Sequence, residues 1–246
     1  MSGTPLYAAT ITDFWKVPFL SGDVRYGDEA FRVVVNPDLR DERRVTVLET
    51  ADGRVDAALT PAVADKIGLD RGQDLSESIF RQRLADAGVT LHAADNLFYF
   101  AGPERDALSR EGDEVGVRRL TEEGDGTVFA EFESSASEQD LDDAYVELDH
   151  WAVFGSFEQD RLVTAASMYP WENARIADLG VLTLPPFRGK GHARKVVRAI
   201  CRYACGLGYE PQYRCQLDNH ASSALAQAAG LTLFGKWQVI SPDAGQ

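Results

Sequence analysis

Sulfur and lysine are both scarce in this chain. Three cysteines and two methionines occur in 246 residues, and only five of the 25 basic residues are lysine. Cys201, Cys205 and Cys215 are an odd set crowded into one stretch. That count argues against a disulfide framework and for a reducing, cytoplasmic compartment. Cys201 and Cys205 fall four apart on an expected helix, and no His or Cys pair completes a metal set. They read as buried structural thiols, and no metal is expected. No apolar run reaches the roughly 18 residues of a membrane helix, and Met1 leads into no basic-then-apolar segment. No membrane partner is therefore expected. Positive charge is short as well: 39 acids against 25 bases leave −14 and a pI near 4.7. Such a surface grips a phosphate backbone poorly, which excludes nucleic acid, and suits small neutral or cationic partners.

What is present is ordinary globular composition, 44% hydrophobic and 26% charged, in a length that fits one large domain or two small ones. β-branched or alternating runs predict strands over 31–36, 45–50 and 55–59, with Ala51-Asp52-Gly53 as a hairpin turn. Thr60-Pro61 opens a helix, and Ser76 caps a second whose stripe is Ile79, Phe80 and Leu84 and whose stop is Gly88. A strand is predicted over 89–100. The charged stretch 101–116 has few large apolar residues and reads as a linker with the boundary near 112, dividing the chain into 1–112 and 113–246. The second half restarts with a strand over 117–120 and helices near 127–135 and 138–148. Strands over 150–158, 162–169 and 175–184 precede a helix from Gly191 to Gly206–Gly208. A strand over 213–217, a helix over 221–229 and a strand over 231–240 close the chain. The fold class is α/β in the broad α+β sense.

The strongest local pattern is PPFRGKGHARKVVRAICRYACGLG, beginning at Pro185. Ala193, Val196, Val197, Ile200, Ala204 and Leu207 recur at the helical period and define a buried face. Arg194, Arg198 and Arg202 stack at four-residue spacing on another face. Glycines ahead of a helix N-terminus let backbone N–H groups converge on an anion at the positive end of the helix dipole. Basic side chains in the first turns oppose that dipole, which makes sense if a multiply charged phosphate offsets them. A Walker loop is excluded because His192-Ala193 follows Gly191, and a dinucleotide fingerprint because Arg194 occupies its third glycine position.

The segment Arg188-Gly189-Lys190-Gly191-His192-Ala193 resembles the acyl-CoA signature [RQ]-x-x-G-x-[GA] of the GNAT superfamily of N-acyltransferases. Pro185 precedes it, and Asn219 opens the next helix in the N-x-x-[AS] manner of that family. The resemblance covers roughly residues 113–246 and implies a mixed, mostly antiparallel sheet flanked by helices, with acetyl-CoA as co-substrate. It implies that amides from Arg188 through Arg194 hold the pyrophosphate. It further implies that the strand edge at Leu182, Thr183 and Leu184 pairs with pantetheine, and that Asn219 and Ser222 contact that arm. Many members carry a tyrosine seven residues after the asparagine to protonate the leaving thiolate, whereas Ala226 stands there in this chain. Ser222, Ser223, Tyr213 or water are the substitutes. Asp178 and His150 are candidate bases, with ordered water the alternative, and Trp151 and Glu172 are candidates for binding the acceptor. The implied activity is direct transfer of acetyl to a primary amine, and the alternative from another class is a non-catalytic acyl-CoA-binding sensor.

Charge divides the second half. Residues 113–160 hold fifteen acids against two arginines, and 175–214 hold eight bases against two acids. The expectation is a basic island around a phosphate-binding turn beside an acidic block, which favours a small cationic acceptor; solvated acidic helix faces are the structural alternative. For the N-terminal half two readings stay open, a degenerate copy of the same fold or an unrelated small domain. Covering the acceptor pocket and forming a homodimer are its candidate roles.

Overall fold

The computed structural model describes residues 6–241. Two compact units interleave along the sequence: one takes the chain through 11, 98–214 and 220–232, the other 12–97, 215–219 and 233 onward. The boundary expected near residue 112 lies inside the first of these. The fold class is as expected, a mixed and mostly antiparallel arrangement of strands flanked by helices.

The unit rich in N-terminal sequence contains β1 (Asp23–Gly27), β2 (Phe31–Val35), β3 (Val45–Thr50), β4 (Val55–Leu59) and β11 (Leu231–Val239) from residue 233 on. Their order is β1-β2-β4-β3-β11, with β2 and β4 parallel and the other pairs antiparallel. Alternation drives it: Val33, Val35, Val45, Val47, Ala57 and Leu59 enter one core with Val63 of α2 (Pro61–Lys66) and with Phe80 and Leu84 of α3 (Glu77–Asp86). Ser76 caps α3 by accepting from Ile79 N–H at 3.3 Å, and Gly53 turns the hairpin at φ +88°. Two elements lie beyond the predicted set. In α1 (Ala9–Leu20) the buried residues Ile11, Trp15 and Phe19 recur every four positions, a helical stripe that Pro18 disguises. In β1 the polar run Asp-Val-Arg-Tyr-Gly carries no apolar alternation. The strand predicted over 89–100 shortens to β5 (Asp95–Phe100), and Leu91 forms only an isolated bridge to Ile240.

The other unit orders its strands β5-β10-β9-β8-β7-β6. They are β6 (Val117–Leu120), β7 (Ala152–Glu158), β8 (Arg161–Pro170), β9 (Ile176–Thr183) and β10 (Glu210–Gln216), with β5 from residue 98 on. β6 to β9 form antiparallel neighbours, whereas β9 and β10 run parallel. α5 (Glu122–Ser134) and α6 (Glu138–Ala144) cover one face, where Phe129 and Phe132 pack on Ala165 and Leu182. α7 (His192–Gly206) covers the other, burying Val196, Val197, Ile200, Cys201 and Ala204. Each fully buried aliphatic side chain there contributes about 1.5–3 kcal/mol. α8 (His220–Ala228) follows β10.

The expected linker over 101–116 is corrected by α4 (Gly102–Ser109). Only Leu108 anchors it as a large apolar residue. Its hold comes from charge: Arg105 pairs with the buried Glu210 at 2.9 Å and Glu104 with Arg198 at 3.3 Å. Burial pushes the Glu210 carboxyl up, and the Arg105 guanidinium pulls it back. The three cysteines are free thiols; burial pushes Cys205 up to about 11 and raises Cys201 as well, so neither is a ready thiolate. Among the described residues no helix is long and apolar enough to cross a membrane.

Candidate active site

The site grows from a fork between two parallel strands. β9 and β10 pair from Ile176–Glu210 to Leu179–Tyr213, and there the register ends. β9 nevertheless continues to Thr183 and β10 to Gln216. From residue 180 onward, β9 keeps β8 on one edge, Gly180 facing Ser167 and Thr183 facing Thr164. Its other edge leaves β10, with Val181 and Thr183 facing outward; Thr183 C=O accepts from Arg188 Nε at 3.0 Å, and Leu184 N–H is used on the β8 side, donating to Val163 C=O at 3.0 Å. Leu182 and Thr183 lie on this stretch and Leu184 directly follows it.

At the head of the fork, the 3-10 turn Pro185–Phe187 leads into Gly189 (φ +76°) and Gly191 (φ +87°), the N-cap of α7. A Cβ on either glycine would meet nothing within 4 Å, so open space lies over the turn. The first intrahelical bond runs from Lys195 N–H to Gly191 C=O at 3.2 Å. The amides before it are the orphan donors of a helix N-terminus. The amides of Gly189 through Arg194 are a donor run of the kind that binds an anion, whereas Arg188 N–H is taken by Pro185 C=O at 3.3 Å.

The basic side chains are employed differently from the expectation. Arg194 Nε donates to Ala228 C=O at 2.7 Å, Arg198 binds Glu104, Glu111 and the Ala229 carbonyl, and Arg202 binds Asp113 and the carbonyls of residues 111 and 112. Lys195 reaches Glu114 at 3.6 Å. The arginine stripe thus docks residues 104–114 and the end of α8 onto α7, because its spacing matches acids that arrive from far along the chain. The Arg198 guanidinium holds the Glu111 carboxyl below its ordinary value. On the turn itself Arg188 pairs with Asp140 at 2.9 Å and Lys190 with Glu158 at 3.2 Å. His192 Nε2 lies 3.0 Å from Glu158, and its Nδ1 lies 2.9 Å from Ser156 Oγ. Most of the expected basic island is paired with acids, and Arg194 is held by a carbonyl instead.

Beside the fork, on the face that carries α5 and α6, stands a polar and aromatic group. His150 Nδ1 lies 2.8 Å from Ser167 Oγ, which also accepts from Glu147 N–H at 3.3 Å. His150 Nε2 lies 3.4 Å from the Glu147 carboxylate. The imidazole sits 5.0 Å from the rings of both Tyr145 and Tyr169. Tyr145 caps α6 in the left-handed region (φ +46°), and the carbonyls of Ala144 and Tyr145 press onto Gly180. A Cβ there would lie 2.2 Å from Ala144 O, so only glycine permits this approach.

Asp178 is buried and accepts from Tyr169 OH (3.2 Å), Gln212 Nε2 (2.7 Å) and Arg214 Nη2 (3.2 Å). Gln212 in turn accepts from Tyr99 OH, and Arg214 stacks over Trp171 at 4.7 Å. Burial, then the Asp178 charge, pushes the Tyr169 hydroxyl well above the usual phenol range. Asp178 and His150 therefore share one face and join through Tyr169. Trp151 does not join them: its ring packs on Tyr209 (4.7 Å) and Tyr203 (6.0 Å) towards α7. Glu172 is exposed in the turn between β8 and β9 at φ +48°. Asn219 is exposed just before α8, Ser222 is half-buried within it, and Ala226 is fully buried. Tyr213 is buried at the last paired position of the fork, edge-on to Phe98. Tyr145, Ser167, Tyr169, Gln212 and Arg214 complete the site without having been predicted for it, or, for Tyr145 and Ser167, suggested by any local motif.

The family model described as "Acetyltransferase (GNAT) family" matches residues 125–231, and comparison with curated proteins returned no sequence match. Among solved structures, the chain is similar to a GNAT-family protein from Novosphingobium aromaticivorans, at 18% identity and a TM-score of 0.47, covering 62% of this chain and 66% of that one. That match spans just under two thirds of the other protein. It is also similar to an acetyltransferase of the GNAT family from Colwellia psychrerythraea (18% identity, TM-score 0.49, 77% and 78% covered). A functionally unknown conserved protein from Staphylococcus epidermidis aligns over 92% of this chain and 96% of its own, at 12% identity and a TM-score of 0.45.

Proposed function

Since residues 125–231 are a GNAT acetyltransferase domain, we propose that the protein transfers an acetyl group from acetyl-CoA to a primary amine of a small, cationic acceptor. The observation that carries this reading is the fork that opens after Leu179 and Tyr213, whose β9 arm runs on through Pro185–Phe187 into the donor turn of α7. Acetyl-CoA supplies the activated thioester. The amides of Gly189 through Arg194 bind its diphosphate, and the outward edge at Val181 and Thr183 orients its arm, with Ser222 as a further contact.

His150 is assigned the amine proton: its largely buried imidazole is held by Ser167 and Glu147 beside the exposed Glu147 carboxylate. A base positioned this way contributes about 10²–10⁴-fold to rate. Asp178, satisfied by three donors, positions Tyr169 and Arg214 rather than exchanging protons itself. The proton required by the leaving sulfur is assigned to Ser222 or to water, because Ala226 has none to give. Glu147 and Asp149, exposed beside His150, and Glu172 favour a cationic acceptor. Trp151 is withdrawn from acceptor binding because its ring packs towards α7.

The buried alanine at 226 favours a second reading, an acyl-CoA-binding sensor without turnover. Thiol release from acetyl-CoA, measured across cationic, neutral and anionic amines at several salt concentrations, separates the two. Release that is fastest with cationic amines and slows with salt supports the transferase. Binding without release on any amine supports the sensor, and preference for anionic amines removes the cationic acceptor.

A further inference from the structure

Two residues of β7 reach the phosphate-binding turn. Ser156 and Glu158 lie two apart on the strand, and between them they hold His192 and Lys190. Ser156 is buried against Nδ1 of the imidazole, whereas Glu158 is partly exposed and contacts both cations. Phe187 closes the group from above, 4.7 Å from Lys190 Nζ and 5.5 Å from the Arg161 guanidinium. The hydrogen bond from His192, then that from Lys190, keeps the Glu158 carboxyl below its ordinary value, so the group is an anion at neutral pH.

An anion fixed beside a donor turn has a definite consequence. Lys190 and His192 face a carboxylate in the free protein, and a diphosphate arriving at the amides of Gly189 through Arg194 meets that same negative charge. We propose that Glu158 is an internal counter-anion that competes with the diphosphate for Lys190 and His192 and thereby sets how tightly acyl-CoA is held. This inference rests on the acyl-CoA reading above. It makes Glu158 an affinity-setting residue that keeps the turn from retaining spent CoA. Ser156 has the separate task of holding the imidazole in place whether or not the charge is present.

The sign of one substitution separates this role from a merely structural one. If Glu158 only braces the turn, removing it weakens binding; if it competes, removing it strengthens binding. The experiment is calorimetric titration of the full chain with CoA, comparing wild type, Glu158→Gln and Ser156→Ala at two salt concentrations. Glu158→Gln is expected to bind about three- to tenfold tighter, the scale of one or two partly exposed ion pairs, with a gain that shrinks as salt rises. Ser156→Ala, which loosens His192 without altering charge, is expected to bind no tighter than wild type. Equal or weaker binding by Glu158→Gln overturns the proposal, as does an equal gain in Ser156→Ala. Glu158→Ala removes the same charge and replaces Glu158→Gln if that variant does not fold. Wild-type binding with no gain in the variants sinks this inference alone; failure of every form to bind CoA sinks it together with the acyl-CoA reading.

Discussion

Replacing Arg198 by methionine keeps much of the side chain's length and removes the charge that fastens α4 to α7. Arg198 is 7% exposed, and its guanidinium serves three acceptors: the Glu104 and Glu111 carboxylates and the Ala229 carbonyl. The two carboxylates are about 40% exposed, so water takes over much of their loss and each pair is discounted to under about 1 kcal/mol. The carbonyl lies against a buried donor, and leaving it unpartnered costs about 1–3 kcal/mol. The sum is about 2–4 kcal/mol, or roughly 5–15 °C in Tm for a chain of this size. Thermal unfolding followed by circular dichroism reads the shift, and titration with CoA reads the site. Affinity in the folded variant is expected within about twofold of wild type, because Arg198 points to residues 104–111 and not to the turn. An unchanged Tm with CoA affinity lost more than about tenfold would refute the reasoning and return the arginine stripe to phosphate binding.

The same latch has an acid limb. The Glu111 carboxyl is held below its ordinary value of 4.5, so its contribution is complete above that value and fades as pH falls through the depressed one. Wild type should therefore lose more stability than Arg198→Met between about pH 5 and pH 3, a difference that parallel acid denaturation curves would expose. Gly180→Ala places a methyl 2.2 Å from Ala144 O; it should cost about 1–3 kcal/mol and shift the segment carrying Tyr145, Glu147 and His150, lowering acetylation more than CoA affinity. His150→Gln should lower kcat at least about 100-fold with the KM for acetyl-CoA little changed, and a loss below about threefold would move the proton to water. Ala226→Tyr, which restores the tyrosine common in the family, should destabilise rather than activate, because position 226 is fully buried; a folded and faster enzyme would contradict this.

The parts of this molecule legible in the sequence are those whose signal is local. The α7 stripe repeats at the helical period beside a two-glycine turn, and β3, β4 and β6 match their predicted spans because alternation and turn chemistry agree. The α4 helix was hidden because its partners Arg198 and Glu210 arrive about a hundred residues later. α1 was hidden by Pro18, and the polar strand β1 by its lack of an apolar pattern.

At the site, the donor turn was readable because its chemistry is backbone chemistry, tied to two glycines and a helix start. The fork was not, since the end of pairing at Leu179 and Tyr213 is a tertiary event with no residue pattern of its own. His150 and Trp151 are neighbours in sequence, yet one contacts Ser167 and the other Tyr203, so adjacency alone does not say which face a side chain takes. Net charge misled in a similar way: the bases of 175–214 do cluster, but Arg188, Lys190, Lys195, Arg198 and Arg202 already have acids from α6, β7 or the 104–114 segment, and Arg194 is held by the Ala228 carbonyl.

Hydrogen exchange with and without acetyl-CoA tests the central claim, that the fork and turn are the cofactor site, at the atoms concerned. Slowed exchange is predicted for the amides of Val181 and Thr183 on the outward edge and of residues 189–194, with no change at the β6 edge around Arg118 and Arg119. Acetyl-CoA that binds while the amides of both stretches exchange at their free rates would contradict it.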